Sequence, residues 1–190
     1  QISVIGAGLA GCAAALAARA RGAPVGLHEQ RPATGTPVHH TALPCELTGS
    51  ADLGVEDLNR ASGLLKAELR VTCPDVIDCA EQTRIGKHTL SVDRAAFTCA
   101  LTERIEADDR IELIRDEVAA VPDGPVVIAS GPGTWSPLAR AIHDLSGSTY
   151  EFSFIGRPPL VAAESMDLSE AQWHPLYPGA EPSLFLPLTG

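Results

Sequence analysis

The chain has 190 residues, 45% of them apolar and 20% charged, and a net charge of −10. This composition suits a soluble globular protein with a real core and excludes a low-complexity, disordered chain. No apolar stretch is long enough to span a bilayer, and the acidic balance weighs against a strong nucleic-acid binder with a basic face.

Five scattered cysteines (Cys12, Cys45, Cys73, Cys79 and Cys99) form no CxxC pair. An odd count without metal spacing suits reduced, mostly buried thiols and a cytoplasmic location. The chain opens at Gln1 without an initiator Met and ends at Gly190 without a closing helix, as expected of a longer protein cut short. The apolar run from Ile5 to Ala18 resembles a signal-peptide core, but no basic segment precedes it.

Ile2 to Ile5 is a short apolar run, read as a buried strand. Gly6 to Gly11 is a glycine turn, and the Ala- and Leu-rich stretch Leu9 to Arg21 is read as a helix that Gly22 ends. Pro24 to Glu29 is the second strand of a βαβ unit. A long polar loop runs from Arg31 to Leu53; loops of that length in compact domains are functional or disordered. Glu56 to Arg70 follows as a helix, with Leu58, Leu64, Leu65 and Leu69 near helical spacing. Lys66, Glu68 and Arg70 read as its solvated face. Asp75 to Thr83 reads as a strand or an irregular stretch.

A helix is predicted over Asp93 to Ala107, with Ser91 or Asp93 near its N-cap. Arg110 to Ile114 and Glu117 to Val121 read as a strand pair, and Pro125 to Ala129 as a strand. Gly131-Pro132-Gly133 turns the chain into a helix over Ser136 to Leu145. After Gly147 the pattern changes to short, Pro-broken strands at Tyr150 to Ile155, Leu160 to Glu164 and Ser183 to Leu186. The expected organisation is an α/β fold of the Rossmann dinucleotide-binding type over residues 1–147, with a parallel sheet and flanking helices. A smaller β-rich segment follows over residues 148–190.

Gly6-Ala7-Gly8-Leu9-Ala10-Gly11 is G-x-G-x-x-G between a predicted strand and a predicted helix, the context that this motif requires. The first glycine allows the tight turn. The second lets a pyrophosphate approach the backbone, and the third lets helix and strand pack closely. Free N–H groups and the positive dipole of the helix N-terminus then face the phosphates. Glu29 ends the second strand at about the 20-residue spacing at which an acid accepts hydrogen bonds from the adenosine ribose. Loop, context and acid together point to a dinucleotide, and the acid disfavours a ribose 2′-phosphate. A second approach to the cofactor is expected where the strand Val126 to Ala129 runs into Ser130, Gly131 and Pro132; an ordinary β–α turn is the alternative. His39 and His40 are adjacent and cannot both face one metal from a regular element, so no metal is expected. Trp135 and Trp173 read as packing residues.

Val4 to Gly11 together with His28-Glu29-Gln30-Arg31-Pro32 resembles the start of one flavoprotein family. Thr36-Pro37-Val38-His39-His40-Thr41 resembles its T-P-x-H-x-T loop, Gly63 to Arg70 its G-L-L-K-E-E-M-R helix, Leu90-Ser91-Val92-Asp93-Arg94 its L-A-V-D-R segment, and Ala129-Ser130-Gly131-Pro132 its A-T-G-P turn. The family is the folate- and FAD-dependent tRNA (uracil-5-)-methyltransferases, and the resemblance covers about the N-terminal half of their length. It implies FAD as cofactor, methylenetetrahydrofolate and NAD(P)H as co-substrates, and a uridine in the T-loop of tRNA as methyl acceptor. Cysteine thiolate addition to the uracil would assist. It also implies that Gly6, Ala7, Gly8, Leu9, Ala10, Gly11, Glu29, Gln30, Arg31, His40, Thr41, Ser130 and Gly131 bind the cofactor.

The sequence departs from the family in two places. Where the family has A-E-L-V-C-S-N-S-L, this chain has Cys45-Glu46-Leu47-Thr48-Gly49-Ser50-Ala51-Asp52-Leu53, so Gly49 stands at the family's cysteine. Cys45 is the candidate catalytic thiol if the loop is rebuilt; a structural thiol is the alternative. The family's V-P-A-G-G-A-L is matched by Ile85-Gly86-Lys87-His88-Thr89-Leu90, one residue shorter. Three functions stay open: a flavoprotein methyltransferase of tRNA, a nucleotide-binding relative without that activity that serves as a binding or regulatory protein, and an FAD oxidoreductase without tRNA.

Overall fold

Short runs of β-branched and apolar residues, each closed by glycine or a polar turn, build a four-stranded parallel sheet. The computed structural model describes residues 1–36, 39–134, 136–147, 164, 167–175 and 182–185. In chain order the strands are β1 (Ile2–Ile5), β2 (Val25–His28), β3 (Ile111–Ile114) and β4 (Val126–Ile128). Their order across the sheet is β3-β2-β1-β4, and every pairing is parallel. The pairing runs on past the strand ends. Gly6 N–H donates to His28 O, Glu29 N–H to Ile114 O, and Ala129 N–H to Ile5 O. The carboxyl ends of four strands therefore lie along one edge, where open α/β sheets bind ligands.

Among the described residues five α-helices accompany the sheet: α1 (Leu9–Ala20), α2 (Ala61–Thr72), α3 (Pro74–Gln82), α4 (Arg94–Glu106) and α5 (Ser136–Ser146). The core forms where one face of the sheet meets α1, α3 and α4. Val4, Val25, Leu27 and Ile111 pack there with Cys12, Ala15 and Leu16, with Val76, Cys79 and Ala80, and with Phe97, Leu101 and Ile105. β4 is an edge strand, and its Val127 and Ile128 stay 40% and 36% exposed. Two further strands, β5 (Gln172–Pro175) and β6 (Pro182–Phe185), pair antiparallel. The ring of His174 stacks on Phe185.

The α/β architecture and the βαβ unit agree with the expectation, and several details correct it. Residues 75–83 are mostly helical. Pro74 occupies the first turn, Asp75 complements its dipole, and Val76, Ile77, Cys79 and Ala80 share a buried face. The helix expected from Glu56 begins at Ala61, because the Asp57 side chain accepts from the Asn59 amide and holds a turn there. Asp93, not Ser91, caps α4 by accepting from the Ala96 amide. Lys66 is not on a solvated face: it is buried and its Nζ donates to Leu53 O at 2.7 Å.

Glu117 to Val121 forms no strand. β3 is engaged in parallel with β2, and the residues after it are drawn away. The Arg115 guanidinium donates to Arg31 O, and Asp116 pairs with His28. Trp173 is 69% exposed and does not pack. Trp135, the strand expected over Tyr150–Ile155 and all of Leu160–Glu164 except Glu164 lie outside the described residues. The strand expected from Ser183 is β6.

The join between β1 and α1 is the tightest point of the fold. A Cβ placed on Gly11 would lie 1.8 Å from Gly6 O, so α1 must move off the sheet to accept one. Overpacking of this kind costs about 1–3 kcal/mol. Gly11→Ala is expected to lower the melting temperature by several degrees in calorimetry; an unchanged value would contradict this packing.

Candidate functional site

The glycine loop is where the backbone leaves β1 and enters α1. Gly6 sits at φ +98°, and a Cβ there would come within 2.7 Å of Ala129 O and Ser130 Cα. The turn after β4 therefore packs directly on the loop after β1, which brings Ser130 beside Gly6. Gly8 differs from its two partners. Its backbone is extended (φ −72°, ψ −177°), and a Cβ added to it would meet nothing within 4 Å. The protein's own packing explains Gly6 and Gly11 but leaves space beside Gly8.

That space faces the start of α1. The Cys12 amide makes the first helical bond, to Gly8 O, so the Leu9, Ala10 and Gly11 amides precede any intrahelical acceptor. No side chain caps this end and no acid lies in its first turn. The helix dipole and these N–H groups make the end receptive to an anion.

A cleft opens along the sheet edge, lined by Gly6, Ala7, Gly8, Glu29, Gln30, Arg31 and Ser130 among others. These are residues that the sequence pointed to. The cleft also takes in Thr36 and His39, from the segment that resembles the family's T-P-x-H-x-T loop, and Ile5, His28, Asp116, Val118 and Leu138, which the sequence did not single out for it. Asp116 and Val118 follow β3, and the parallel topology was the one available signal for them. A second recess, lined by Arg31, Pro32, Gly35, Thr36, His39, His40, Thr41 and Ala42, adjoins at Arg31. Leu9, Ala10 and Gly11 lie in the first turn of α1, and Gly131 follows Ser130 at φ +61°. Pro37 and Val38 lie outside the described residues.

Charge lining the cleft lies on Glu29, Arg31 and Asp116, and Glu46 joins the first two from behind that lining. Arg31 is buried and pairs with both oxygens of Glu29, Nε to Oε1 at 2.8 Å and Nη2 to Oε2 at 3.0 Å. Its Nη1 reaches Glu46 Oε2 and Thr41 O, each at 3.2 Å. Glu29 also accepts from the amides of Arg31 and Ala7. Burial alone would raise the Glu29 carboxyl, but its bonds to Arg31 and Ala7 outweigh burial and hold it below the ordinary range. Glu46 behaves in the same way: burial is outweighed by the amides of His40 and Thr41 and by the Thr41 hydroxyl. His39 bonds to the Thr36 hydroxyl; burial first, and the Arg31 charge second, push its imidazole down, towards the neutral form.

Cys45, the candidate thiol, is fully buried. Its amide donates to Ala7 O at 2.7 Å, behind the glycine loop, and burial pushes its thiol well up. A buried thiol pushed up in this way is a poor nucleophile, and this geometry favours the structural alternative for Cys45. Gly49 is exposed, and a Cβ there would meet nothing within 4 Å. Arg94 fixes this segment by donating to Leu47 O at 2.8 Å and to Gly49 O at 2.7 Å. Among the described residues no group of His, Cys, Asp or Glu could hold a metal, and no helix is long and apolar enough to cross a membrane.

The lowered carboxyls give the fold an acid limit. A group whose pKa falls on folding contributes stability that is complete above its unfolded value and is lost as pH drops through its folded value. As pH falls below about 4.5 the unfolding free energy should therefore fall, and Glu29→Gln should flatten that slope in urea titrations. An identical slope in the variant would contradict the ion-pair assignment.

Comparisons with known proteins fit this geometry. The family model described as "glucose inhibited division protein A" matches residues 1–186. A Methylenetetrahydrofolate--tRNA-(uracil-5-)-methyltransferase TrmFO from Moorella thermoacetica is 42% identical over 172 residues, covering 89% of this chain and 39% of the relative. Its namesake from Geotalea uraniireducens is 42% identical over 173 residues, covering 90% and 40%. The one from Thermotoga neapolitana is 38% identical over 192 residues, covering 99% and 44%. The chain thus spans about two fifths of the length of the curated relatives it matches. On the match over 1–186, which takes in the glycine loop, Glu29 and the β4 turn, this chain belongs to the glucose inhibited division protein A family.

Proposed function

We propose that this chain binds FAD along the carboxyl edge of its parallel sheet and forms the cofactor-binding part of a folate-dependent tRNA uracil methyltransferase. Gly8 carries this reading. Its neighbours in the motif are glycine because the protein leaves no room for a side chain, whereas at Gly8 the protein leaves the room empty. A pyrophosphate held by the amides at the head of α1 would use that space.

The residues present fit the dinucleotide. Ionised Glu29 accepts from the adenosine ribose hydroxyls and repels a 2′-phosphate, which selects FAD or NAD over NADP. Ser130 sits against Gly6 at the second approach, and His40 and Thr41 border the recess beside it. When bound, the flavin supplies the redox chemistry; the chain supplies binding, orientation and charge. Residues 1–147 form the dinucleotide-binding unit in this proposal, and residues 148–190 begin a second, β-rich portion. Methylenetetrahydrofolate and tRNA are the substrates printed in the relatives' names, and they are proposed here on that ground.

One observation favours a second reading. The exposed Gly49 carries no thiol, although its place is fixed by Arg94. A flavoprotein relative that binds FAD without methylating tRNA has this property. The two readings separate on transfer of a labelled one-carbon unit from methylenetetrahydrofolate to tRNA by the FAD-loaded protein.

FAD binding itself is tested by titrating FAD into the purified protein and following flavin fluorescence. Gly8→Val suits the extended backbone there and fills the space beside the helix. It is expected to weaken FAD about tenfold or more, equivalent to about 1.4 kcal/mol, while leaving the melting temperature of the unliganded protein unchanged. Failure of the wild-type protein to bind FAD, or equal affinity in Gly8→Val, would overturn the reading.

A further inference from the structure

We infer that Asp116 reads the exocyclic amine of the adenine base, and so sets which nucleobase the cleft prefers. The inference rests on the FAD reading and extends it to the residues that follow β3.

The order of the strands sets the order of the ligand's parts. Across the sheet the strands run β3-β2-β1-β4. In the FAD reading the pyrophosphate lies at the loop after β1, and the adenosine ribose at Glu29, which follows β2. A ligand laid along the carboxyl edge in that direction brings its next part, the base, to the end of β3. Two residues from there, Asp116 and Val118, line the cleft. Val118 offers an apolar surface to a flat ring, and Asp116 offers an acceptor close by.

Asp116 is anchored from two sides. The residue before it, Arg115, donates from Nη1 to Arg31 O at 3.0 Å and to Ala42 O. This ties the backbone after β3 to the loop that follows β2. On the other side, His28 Nδ1 bonds to Asp116 Oδ1 at 2.8 Å. A carboxylate only accepts, so Nδ1 carries the proton of this bond. His28 belongs to β2 and pairs with Ile114 of β3, so this anchor is part of the sheet. A site residue held by a rigid element keeps its geometry before the ligand arrives.

The second oxygen of Asp116 is uncommitted. Among the described residues no donor reaches Oδ2, and the side chain is 49% exposed. Glu29, the other carboxylate of the cleft lining, differs: both its oxygens accept from protein donors, Arg31 and Ala7. The base part that suits Asp116 Oδ2 follows from donor and acceptor chemistry. The free ring nitrogens of adenine are acceptors, which a carboxylate repels, and the exocyclic amine is the donor. A base seated over Val118 also displaces water from Asp116, which strengthens a charge-assisted bond there.

The test is a binding cycle on this chain with two probes: FAD, and an FAD analogue with unsubstituted purine in place of adenine, which lacks only the amine. The readout is the ratio of the two affinities, so a change of charge near the phosphates, which acts on both probes alike, cancels. Wild-type protein is expected to prefer FAD about fivefold or more, the effect of one hydrogen bond to a charged group. In Asp116→Ala the ratio should fall below about twofold. Asp116→Asn keeps an acceptor without the charge, and its ratio should lie between the two. A wild-type ratio near one would overturn the inference. So would an undiminished ratio in Asp116→Ala, which is the result expected if Asp116 is only structural or meets the ribose. If Asp116→Ala does not fold, Asp116→Asn carries the comparison, and an undiminished ratio there overturns the inference. A wild-type protein that binds neither probe would instead overturn the FAD reading on which the inference stands.

Discussion

The closeness of α1 to the end of β1 governs the rest of this structure. Two backbone segments meet where a single methyl group would collide: Gly11 against Gly6 O, and Gly6 against the Ala129–Ser130 backbone. Because both contacts are satisfied by glycine, the first helix starts directly above the sheet edge, and the turn after β4 closes on it. This contact places the head of α1 next to Gly6, Ala7 and Gly8, which line the cleft. It also fixes Ala7, whose carbonyl receives the Cys45 amide and whose own amide donates to Glu29. The glycine loop is thus the hub through which the sheet, the long loop and the acid are joined.

Electrostatics in the cleft wall follow from that geometry. Removing one member of a buried ion pair leaves an uncompensated charge and costs about 3–5 kcal/mol, so Glu29, Arg31 and Glu46 are held as a set. Two carboxylates around one guanidinium leave the set with net negative charge. The head of α1 offers positive dipole a short way along the same edge. A ligand with sugar hydroxyl donors at one end and phosphates beside them matches this division of charge, and a ribose 2′-phosphate does not. The overall charge of −10 says little about this local pattern, because the cleft is shaped by groups that are already paired.

Much of this was visible in the residues alone. β1, α1 and β2 followed from an apolar run, a glycine motif and an Ala-rich stretch, each of which constrains the backbone locally. The sheet order then placed Glu29 and Ser130 on one edge. What stayed hidden depends on distant partners. α3 is the exception: its local signals, Pro74 and Asp75 at its start and apolar residues at helical spacing, were present in the sequence and were passed over because the helix is short. Residues 117–121 are mostly apolar and read like a strand, but Arg115 and Asp116 are claimed by Arg31 and His28. The pairing of Glu46 with Arg31 was invisible, because it depends on the left-handed turn at Cys45, which no local rule forecasts for cysteine. Cys45 drew attention as a thiol, yet its backbone amide and conformation are what the structure uses.

The central claim is that the head of α1 and the end of β2 together hold an adenine dinucleotide. The most direct measurement is an amide NMR titration of the labelled protein with FAD. The account predicts saturable shifts at Leu9, Ala10 and Gly11 and at Glu29 to Arg31, with little change at α3 and β3. Saturable binding that leaves the Leu9–Gly11 amides unmoved, or no shift at any residue, would contradict it.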